Sequence, residues 1–283
     1  MNKINWKFYR PYRDKLIDKK NEILSKIFDK RKKNVDLDPL KINRILFLIL
    51  KGDIMKAKNS DIEKIEVFSG ISKNSIIEIK NTADVIELKK NKALYSDRQV
   101  LDYVYFLVSG NVSLIKSSES GENRVVFLLN EGSMINEPLM RKNTSGIECW
   151  GFEESKILRI ALSTFDKIMS KDYILTRNCM LEMEKRIRRL YRQLKNLTSS
   201  NIEKKLAAKL YRLATQYGLK ENKIGNYTYI NLNLTVTYIA KMLGYQRETV
   251  SRSLKLLSEK EIILQKDRKY YVDTEKAIQF FKK

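Results

Sequence analysis

The chain has 283 residues, of which 43% are hydrophobic, so it is long and apolar enough for two domains with their own cores. It contains no histidine, which excludes histidine-based catalysis and histidine-ligated metals. Its two cysteines, Cys149 and Cys179, are too few for an all-cysteine iron–sulfur cluster. We therefore expect neither an enzyme nor a bound cofactor. No apolar run approaches the roughly 18 residues that cross a bilayer, and the N-terminus lacks the order of a secretory signal, so we expect a cytoplasmic protein without a membrane partner.

The net charge of +22 is concentrated at the two ends of the sequence. Residues 1–60 carry +10 and residues 196–283 carry +9, whereas residues 61–195 carry only +3. Clustered Lys and Arg favour a polyanionic partner, because phosphates release condensed counterions when such side chains bind. A lysine-rich proteome would also produce a basic tilt, so the charge alone does not decide between these explanations.

Residues 1–60 combine aromatic side chains, the basic run DKRKK (29–33) and the apolar stretch 42–55. We predict a basic, helical extension that packs on the domain after it; an arm that touches DNA is the alternative.

The segment from about residue 84 to 162 has the pattern of β-structure. Its apolar runs, at 85–88, 103–115 and 124–129, are rich in β-branched and aromatic residues. Gly110, Gly121 and Gly132 recur every 11 residues, a spacing that suits short antiparallel strands joined by tight turns, and SESGEN (118–123) predicts a hairpin turn. These features predict a β-roll.

The apolar period then changes to that of a helix with one apolar seam. The seam steps by three and four residues through Met180, Met183, Ile187, Leu190, Leu194 and Leu197. Two interpretations stay open: the seam packs on the chain's own core, or it pairs with a second copy in a homodimer.

Two linked helices are predicted near the C-terminus. TVTYIAKMLG (235–244) offers Thr235 as an N-cap and Gly244 as a left-handed stop, and a second helix starts near Gln246. Small Ala240 lets the helices approach, Gly244 makes the turn, and Val250 packs the second helix onto the first. This is the helix-turn-helix arrangement.

The second helix separates an apolar side from a polar side. Val250, Leu254 and Leu257 face inward, and the outward arc carries Arg247, Glu248, Ser251 and Arg252. Arg can donate two hydrogen bonds to guanine and Glu can accept one from cytosine, so this arc predicts base reading in the major groove, against the alternative of an ordinary solvated face. The stretch 262–272 predicts a hairpin whose basic tip, with Lys266 and Arg268, is either a phosphate-contacting wing or a charged turn.

QRETVSRSLKLL, after IAKMLGY and before a short hairpin, resembles the DNA-reading segment of the Crp/Fnr family of bacterial transcription regulators. The resemblance covers about residues 61–275, with IEKIEVFSGIS similar to the family's leading helix. It implies an α+β fold: a cyclic-nucleotide-binding-like β-roll (61–162), a dimerisation helix (163–198) and a winged helix-turn-helix domain (199–283). It also implies a homodimer on double-stranded DNA with TGTGA-like half-sites, and RNA polymerase as a partner.

The resemblance also assigns individual residues. Arg247, Glu248 and Arg252 match the family's base-reading positions, and Ser251 matches a base-contacting serine of the Fnr-like branch. Gln246 and Thr249 fall where phosphate contacts are made.

The effector pocket departs from the cyclic-nucleotide pattern. The family's Gly-Glu pair becomes Asn136-Glu137, and its Arg-Ser pair aligns on Ser145-Gly146, which lacks the guanidinium that would neutralise a buried phosphate. Arg141 is an alternative source of that charge. Cyclic AMP is therefore not the expected effector; a different small effector and no effector both stay open, as does redox sensing by Cys149 and Cys179.

The leading functional hypothesis is a sequence-specific DNA-binding transcription regulator. An effector-binding or scaffold protein with a vestigial helix-turn-helix would explain the roll but not the intact reading face. A cupin-like metal oxygenase would also explain the roll, but the chain has no histidine to hold its metal.

Overall fold

The computed structural model describes residues 55–118, 123–138, 144–198 and 201–282, except for the side chains of 196–198 and 220–222. The extension predicted over residues 1–60 therefore lies outside the described residues, apart from its last part, 55–60.

Two antiparallel sheets form the N-terminal domain. Its elements are β1 (Met55–Lys56), α1 (Asn59–Ile62), a 3-10 turn (Glu66–Phe68), α2 (Lys73–Thr82), β2 (Asp84–Leu88), β3 (Ala93–Tyr95), β4 (Tyr103–Ser109), β5 (Val112–Ser117), β6 (Asn123–Leu129), β7 (Glu148–Gly151) and β8 (Ser155–Ala161). The sheets have the strand orders β1-β2-β8-β4 and β3-β7-β5-β6. The predicted β-roll is confirmed, and β5 and β6 pair as the predicted hairpin from Val112↔Leu129 to Ser117↔Asn123.

The segment that was expected to form the leading helix is not one helix. It contains the end of α1 and the 3-10 turn. The 3-10 turn is followed by Gly70, whose φ of 74° places it in the left-handed region. The longer helix α2 begins afterwards, where the Ser72 hydroxyl accepts a 3.2 Å hydrogen bond from the Ser75 N–H as an N-cap.

Strand β4 lies between two hydrophobic clusters. Val104, Phe106 and Val108 face a cluster shared with the helices, while Tyr105 and Leu107 face the interior of the roll. Because successive side chains of a strand point to opposite faces, a strand covered on both sides reads as a continuous apolar run. This explains why residues 103–109 were easy to predict as a strand.

Two consecutive helices leave the roll, α3 (Leu162–Lys171) and the long helix α4 (Tyr173–Thr198). The break falls at Asp172, whose carboxylate accepts hydrogen bonds from the Ser75 hydroxyl (2.7 Å) and from the N–H groups of Ser72 (2.9 Å) and Leu175 (3.2 Å). Burial acts to raise the pKa of Asp172, but these hydrogen bonds outweigh it and hold the pKa at about 2. The carboxylate thus ties α2 to the start of α4.

The C-terminal domain is a winged helix-turn-helix, as predicted. It comprises α5 (Ile202–Tyr217), β9 (Gly218–Ile224), β10 (Tyr227–Ile230), α6 (Val236–Leu243), α7 (Arg247–Glu259), β11 (Ile263–Lys266), β12 (Lys269–Asp273) and α8 (Thr274–Lys282), with the sheet order β11-β12-β10-β9. Its core joins α5, α6 and α7 through side chains such as Leu210, Ile239 and Leu257, each fully buried. The hairpin β9–β10 and helix α8 were not predicted.

This domain packs directly on the roll. Val125 and Leu128 of β6 belong to its hydrophobic core. The Tyr217 hydroxyl donates a 3.0 Å hydrogen bond to the Leu128 carbonyl, and the hydroxyls of Tyr238 on α6 and Ser113 on β5 share one of 2.6 Å. The first helix of the helix-turn-helix is thereby held against the roll.

Candidate nucleic-acid interface

The turn between α6 and α7 has the geometry that the sequence predicted. The Thr235 hydroxyl caps α6 by accepting a 3.1 Å hydrogen bond from the Tyr238 N–H. Gly244 adopts the left-handed conformation (φ 73°, ψ 42°), and its N–H donates to the Ala240 carbonyl at 2.8 Å. Ala240 is buried and Val250 is fully buried, so α7 is fixed against α6 through small and branched apolar side chains.

The outward side of α7 is open to solvent. Arg247, Glu248, Ser251 and Arg252 are all exposed, whereas Val250, Leu254 and Leu257 are buried beneath them. The side chains of Arg247 and Glu248 are 66% and 72% exposed, and their charged groups lie 3.8 Å apart. An ion pair so exposed is weak and can exchange its partners for a ligand at little cost.

The first turn of α7 keeps its N–H groups available. Gln246 occupies the N-cap position in an extended conformation, but its side chain makes no capping hydrogen bond. The opening N–H groups of a helix have no intrahelical acceptor and favour anions such as phosphate. Gln246 is exposed and Thr249 is partly exposed beside them.

The hairpin β11–β12 forms the predicted wing-like projection. Lys266 pairs with Lys269, and the two residues between them, Asp267 and Arg268, have φ values of 51° and 61°. Two consecutive left-handed residues make the tight turn that suits the twist of a hairpin. Lys266, Arg268 and Lys269 are all exposed, so the tip of the hairpin carries a cluster of positive charge.

Some residues of the apolar seam on α4 pack in the core, and others are exposed. Met183 packs against the helix-side cluster of the roll. Met180, Ile187, Leu190 and Leu194 instead expose 68%, 46%, 39% and 60% of their surface. The side chain of Leu197 lies outside the described residues. Tyr173 and Tyr191 are also exposed and lie beside Met180 on this face, whereas the exposed Leu181 lies about 100° around the helix from it.

The residues proposed for an effector pocket are mostly engaged within the protein. The buried Asn136 side chain accepts a hydrogen bond from the Tyr105 N–H (2.8 Å) and donates one to the Tyr103 carbonyl (3.0 Å). The buried Ser145 hydroxyl bonds to the main chain of Ile147. Glu137 is exposed, and Arg141 lies outside the described residues.

Arg186 is a residue of this region that the sequence did not reveal. It lies on α4 and is only 6% exposed, because its guanidinium donates hydrogen bonds to the carbonyls of Met134 and Ile135 in the roll. Glu182 lies 3.6 Å from its Nε. Arg186 is not part of the seam from Met180 to Leu197. It lies seven residues after Cys179 and eleven after Leu175, so helical periodicity places it on the same buried face of the helix, which is the one signal that could have indicated it.

The two cysteines are buried. Cys149 belongs to the interior cluster of the roll and Cys179 to the helix-side cluster, and both are free thiols. Burial raises the pKa of Cys179 to about 12 and raises that of Cys149 as well. Neither thiol therefore forms the reactive thiolate at neutral pH.

Comparison with known proteins matches both domains to family models. Residues 85–172 match the cyclic nucleotide-binding domain, and residues 204–278 match the Crp-like helix-turn-helix domain. The chain belongs to the Crp/Fnr family. As a member of this family it is a transcription regulator with a helix-turn-helix DNA-binding domain.

Its relatives in this family are distant. The cAMP-activated global transcriptional regulator CRP of Pasteurella multocida is 23% identical over 162 residues, which cover 56% of this chain and 76% of the relative. A CRP-like cAMP-activated global transcriptional regulator of Mycobacterium tuberculosis is 20% identical over 198 residues, covering 66% and 83%.

Solved structures of Crp/Fnr proteins share the fold. FixK2 from Bradyrhizobium japonicum matches with a TM-score of 0.62 at 17% identity, over 70% of this chain and 96% of that one. The c-di-GMP responsive regulator CLP from Xanthomonas campestris matches with 0.61 at 14% identity, over 71% and 99%. Within the described residues, no helix is long and apolar enough to cross a membrane.

Proposed function

We propose that this Crp/Fnr protein reads a specific DNA sequence through α7. Arg247 and Arg252 donate to guanines, Glu248 accepts from a cytosine amino group, and Ser251 adds a further base contact. The observation that carries the proposal is the exposure of these four side chains on a helix whose opposite side is buried in the core. Because its other side stays packed in the domain core, α7 can enter the major groove while the domain remains folded.

Contacts to the DNA backbone come from two places. Gln246 and Thr249 lie at the uncapped start of α7, where free N–H groups favour a phosphate. Lys266 and Arg268 lie at the exposed wing tip and meet a neighbouring phosphate. Such contacts fix the register of the protein on the duplex, and they contribute affinity that falls as salt rises.

The functional unit is a homodimer in which α4 pairs with α4 of a second copy. Its supports are the exposed side chains Met180, Ile187, Leu190 and Leu194, since a monomer would leave this apolar face in water. A two-fold dimer binds a palindrome, here with TGTGA-like half-sites whose centres lie on the order of 34–36 Å apart. RNA polymerase is the proposed partner at the promoter.

Cyclic AMP does not regulate this protein: either a different effector controls its DNA binding, or it has no effector. Ser145 supplies no guanidinium, and the buried hydroxyl is bonded to the main chain of Ile147. The Arg186 guanidinium is likewise bonded to the carbonyl of Ile135. Neither Ser145 nor Arg186 therefore supplies an unoccupied guanidinium to bind the phosphate of a buried cyclic nucleotide.

Selection of bound DNA from random and genomic fragments tests the proposal. Purified protein should enrich inverted TGTGA-like half-sites, and the enrichment should survive an excess of nonspecific competitor DNA. Binding without sequence preference would contradict base reading and favour the alternative, an effector-binding or scaffold protein with a vestigial helix-turn-helix.

A further inference from the structure

A cationic pocket lies where the roll, the long helix and the DNA-binding domain meet. Its volume is about 150 Å³, and it is lined by residues of β6, α4, α5 and α6. Six of its lining side chains are cationic: Arg124, Arg189, Arg192, Lys205, Lys209 and Arg212. No Asp or Glu is among the described residues that line it. We call these six residues the cationic pocket.

Among the described residues, no carboxylate neutralises the charges of the pocket. Within the described part of the chain, none of the six side chains forms an ion pair with a carboxylate. Lys205 donates a 2.7 Å hydrogen bond to the Tyr245 hydroxyl. Burial, followed by the guanidinium groups of Arg212, Arg124 and Arg189, lowers the pKa of Lys209 to about 8. The pocket therefore concentrates like charges that repel one another, and an anion between them would relieve that repulsion.

We propose that the cationic pocket binds a small phosphorylated anion carrying at least two phosphate groups. Arginine guanidinium groups match phosphate oxygens in a bidentate way, and lysine adds a point charge. A volume near 150 Å³ is comparable to a cavity that holds one benzene, so it accommodates a phosphate or diphosphate group rather than a whole nucleotide. The exposed Arg192 and Arg212 leave room for the rest of a larger ligand.

The position of the pocket gives the anion a structural role, which rests on the DNA-reading function proposed above. Arg124 of the roll lies against the turn of the helix-turn-helix: a Cβ added at Gly244 would be 3.3 Å from its Nη1. Arg189 belongs to α4 and Lys209 to α5. One anion contacting all three would clamp the DNA-binding domain to the roll and to the long helix.

The pocket is separate from the base-reading side of α7, because Arg247, Glu248, Ser251 and Arg252 do not line it. Its walls come from three parts of one chain and enclose a small concavity, which favours a small anion over the backbone of a duplex. DNA as the occupant is a competing outcome that the experiment separates.

Titration calorimetry with inorganic pyrophosphate on the full chain, at constant ionic strength and without DNA, tests the proposal. We expect one saturable site per chain, with affinity weakened about tenfold or more in Lys209→Gln and in Arg189→Gln, because each loses a charge-assisted contact. Lys73→Gln removes one exposed charge from α2, which does not line the pocket, and should change the affinity less than about twofold.

Thermal unfolding and DNA binding supply independent readouts. Lys209→Gln should unfold at a higher temperature than the parent without pyrophosphate, because repulsion is relieved, and should lose the stabilisation that pyrophosphate gives. Absence of saturable binding, or equal weakening by Lys73→Gln, would overturn the proposal. So would a lower DNA affinity and salt slope in Lys209→Gln without pyrophosphate, which would identify DNA as the occupant. Because binding is measured without DNA, its failure is distinct from failure of base reading.

Discussion

Replacing Gly244 with alanine perturbs the joint between α6 and α7. The residue has φ 73°, and a left-handed conformation costs a non-glycine residue roughly 1–2 kcal/mol. The added Cβ would also lie 3.3 Å from Nη1 and 3.4 Å from Cζ of Arg124. Because these atoms are the far end of a flexible side chain, that contact is relieved by a small movement. The expected loss in unfolding free energy is therefore about 1–2 kcal/mol.

Gly225→Ala is the matched control. Gly225 has φ 57° in the hairpin β9–β10, and no heavy atom of the described residues lies within 4 Å of an added Cβ. Urea unfolding should show a comparable or smaller loss for Gly225→Ala, since the same backbone cost arises in an exposed hairpin.

DNA binding distinguishes the two variants. Gly244→Ala relieves part of its strain by moving α7, so its specific DNA affinity should fall about three- to tenfold, whereas Gly225→Ala should bind as the parent does. If Gly244→Ala unfolds at the parent's urea midpoint, or if both variants lose DNA affinity equally, the turn does not position the recognition helix in the way described.

Three further predictions concern the dimer, the effector and acid stability. The double variant Ile187→Lys, Leu190→Lys should sediment as a monomer and lose specific DNA binding. The control Ile77→Lys, at another exposed isoleucine, should stay dimeric. If the double variant is still a dimer with full operator affinity, the interface lies elsewhere. Calorimetry should detect no cyclic AMP binding at micromolar concentrations, and tight binding would contradict the effector proposal. Asp172→Asn should lose roughly 2 kcal/mol of stability at pH 7, because the folded pKa is lowered from 3.8 to about 2. This difference should be complete above about pH 4 and vanish as the pH falls through about 2, so a pH-independent difference in urea unfolding would contradict the assignment.

The parts of the fold that sequence predicted are those with strong local signals. Strand β4 is an apolar run covered on both faces, and the helix-turn-helix carries a capping Thr235, a left-handed Gly244 and a buried Val250. Strand β9 was missed because Gly218–Ile224 is largely polar and its pairing partner, β10, determines it. Helix α8 was not predicted because its few apolar residues are explained only by their packing against the core that α5 helps to form.

The candidate site divides in the same way. The base-reading residues lie within one helix, so their shared face follows from 3.6-residue periodicity. The cationic pocket collects residues from Arg124 to Arg212 on three elements, and the sequence contains no local sign of their proximity. Arg186 lies on the face of α4 that carries the buried Cys179 and meets carbonyls of the roll, whereas Arg188 lies about 200° around the helix and is exposed.

Sequence selection with Arg247→Ala, Glu248→Ala and Lys266→Ala in parallel tests base reading most directly. Arg247→Ala and Glu248→Ala should each relax the preference at one base pair, at a cost of roughly 1–3 kcal/mol on the preferred site. Lys266→Ala should weaken binding to all sequences alike and reduce the salt slope by about one. If all three variants lose affinity uniformly, with no relaxation at any position, α7 contacts only the backbone and does not read the bases.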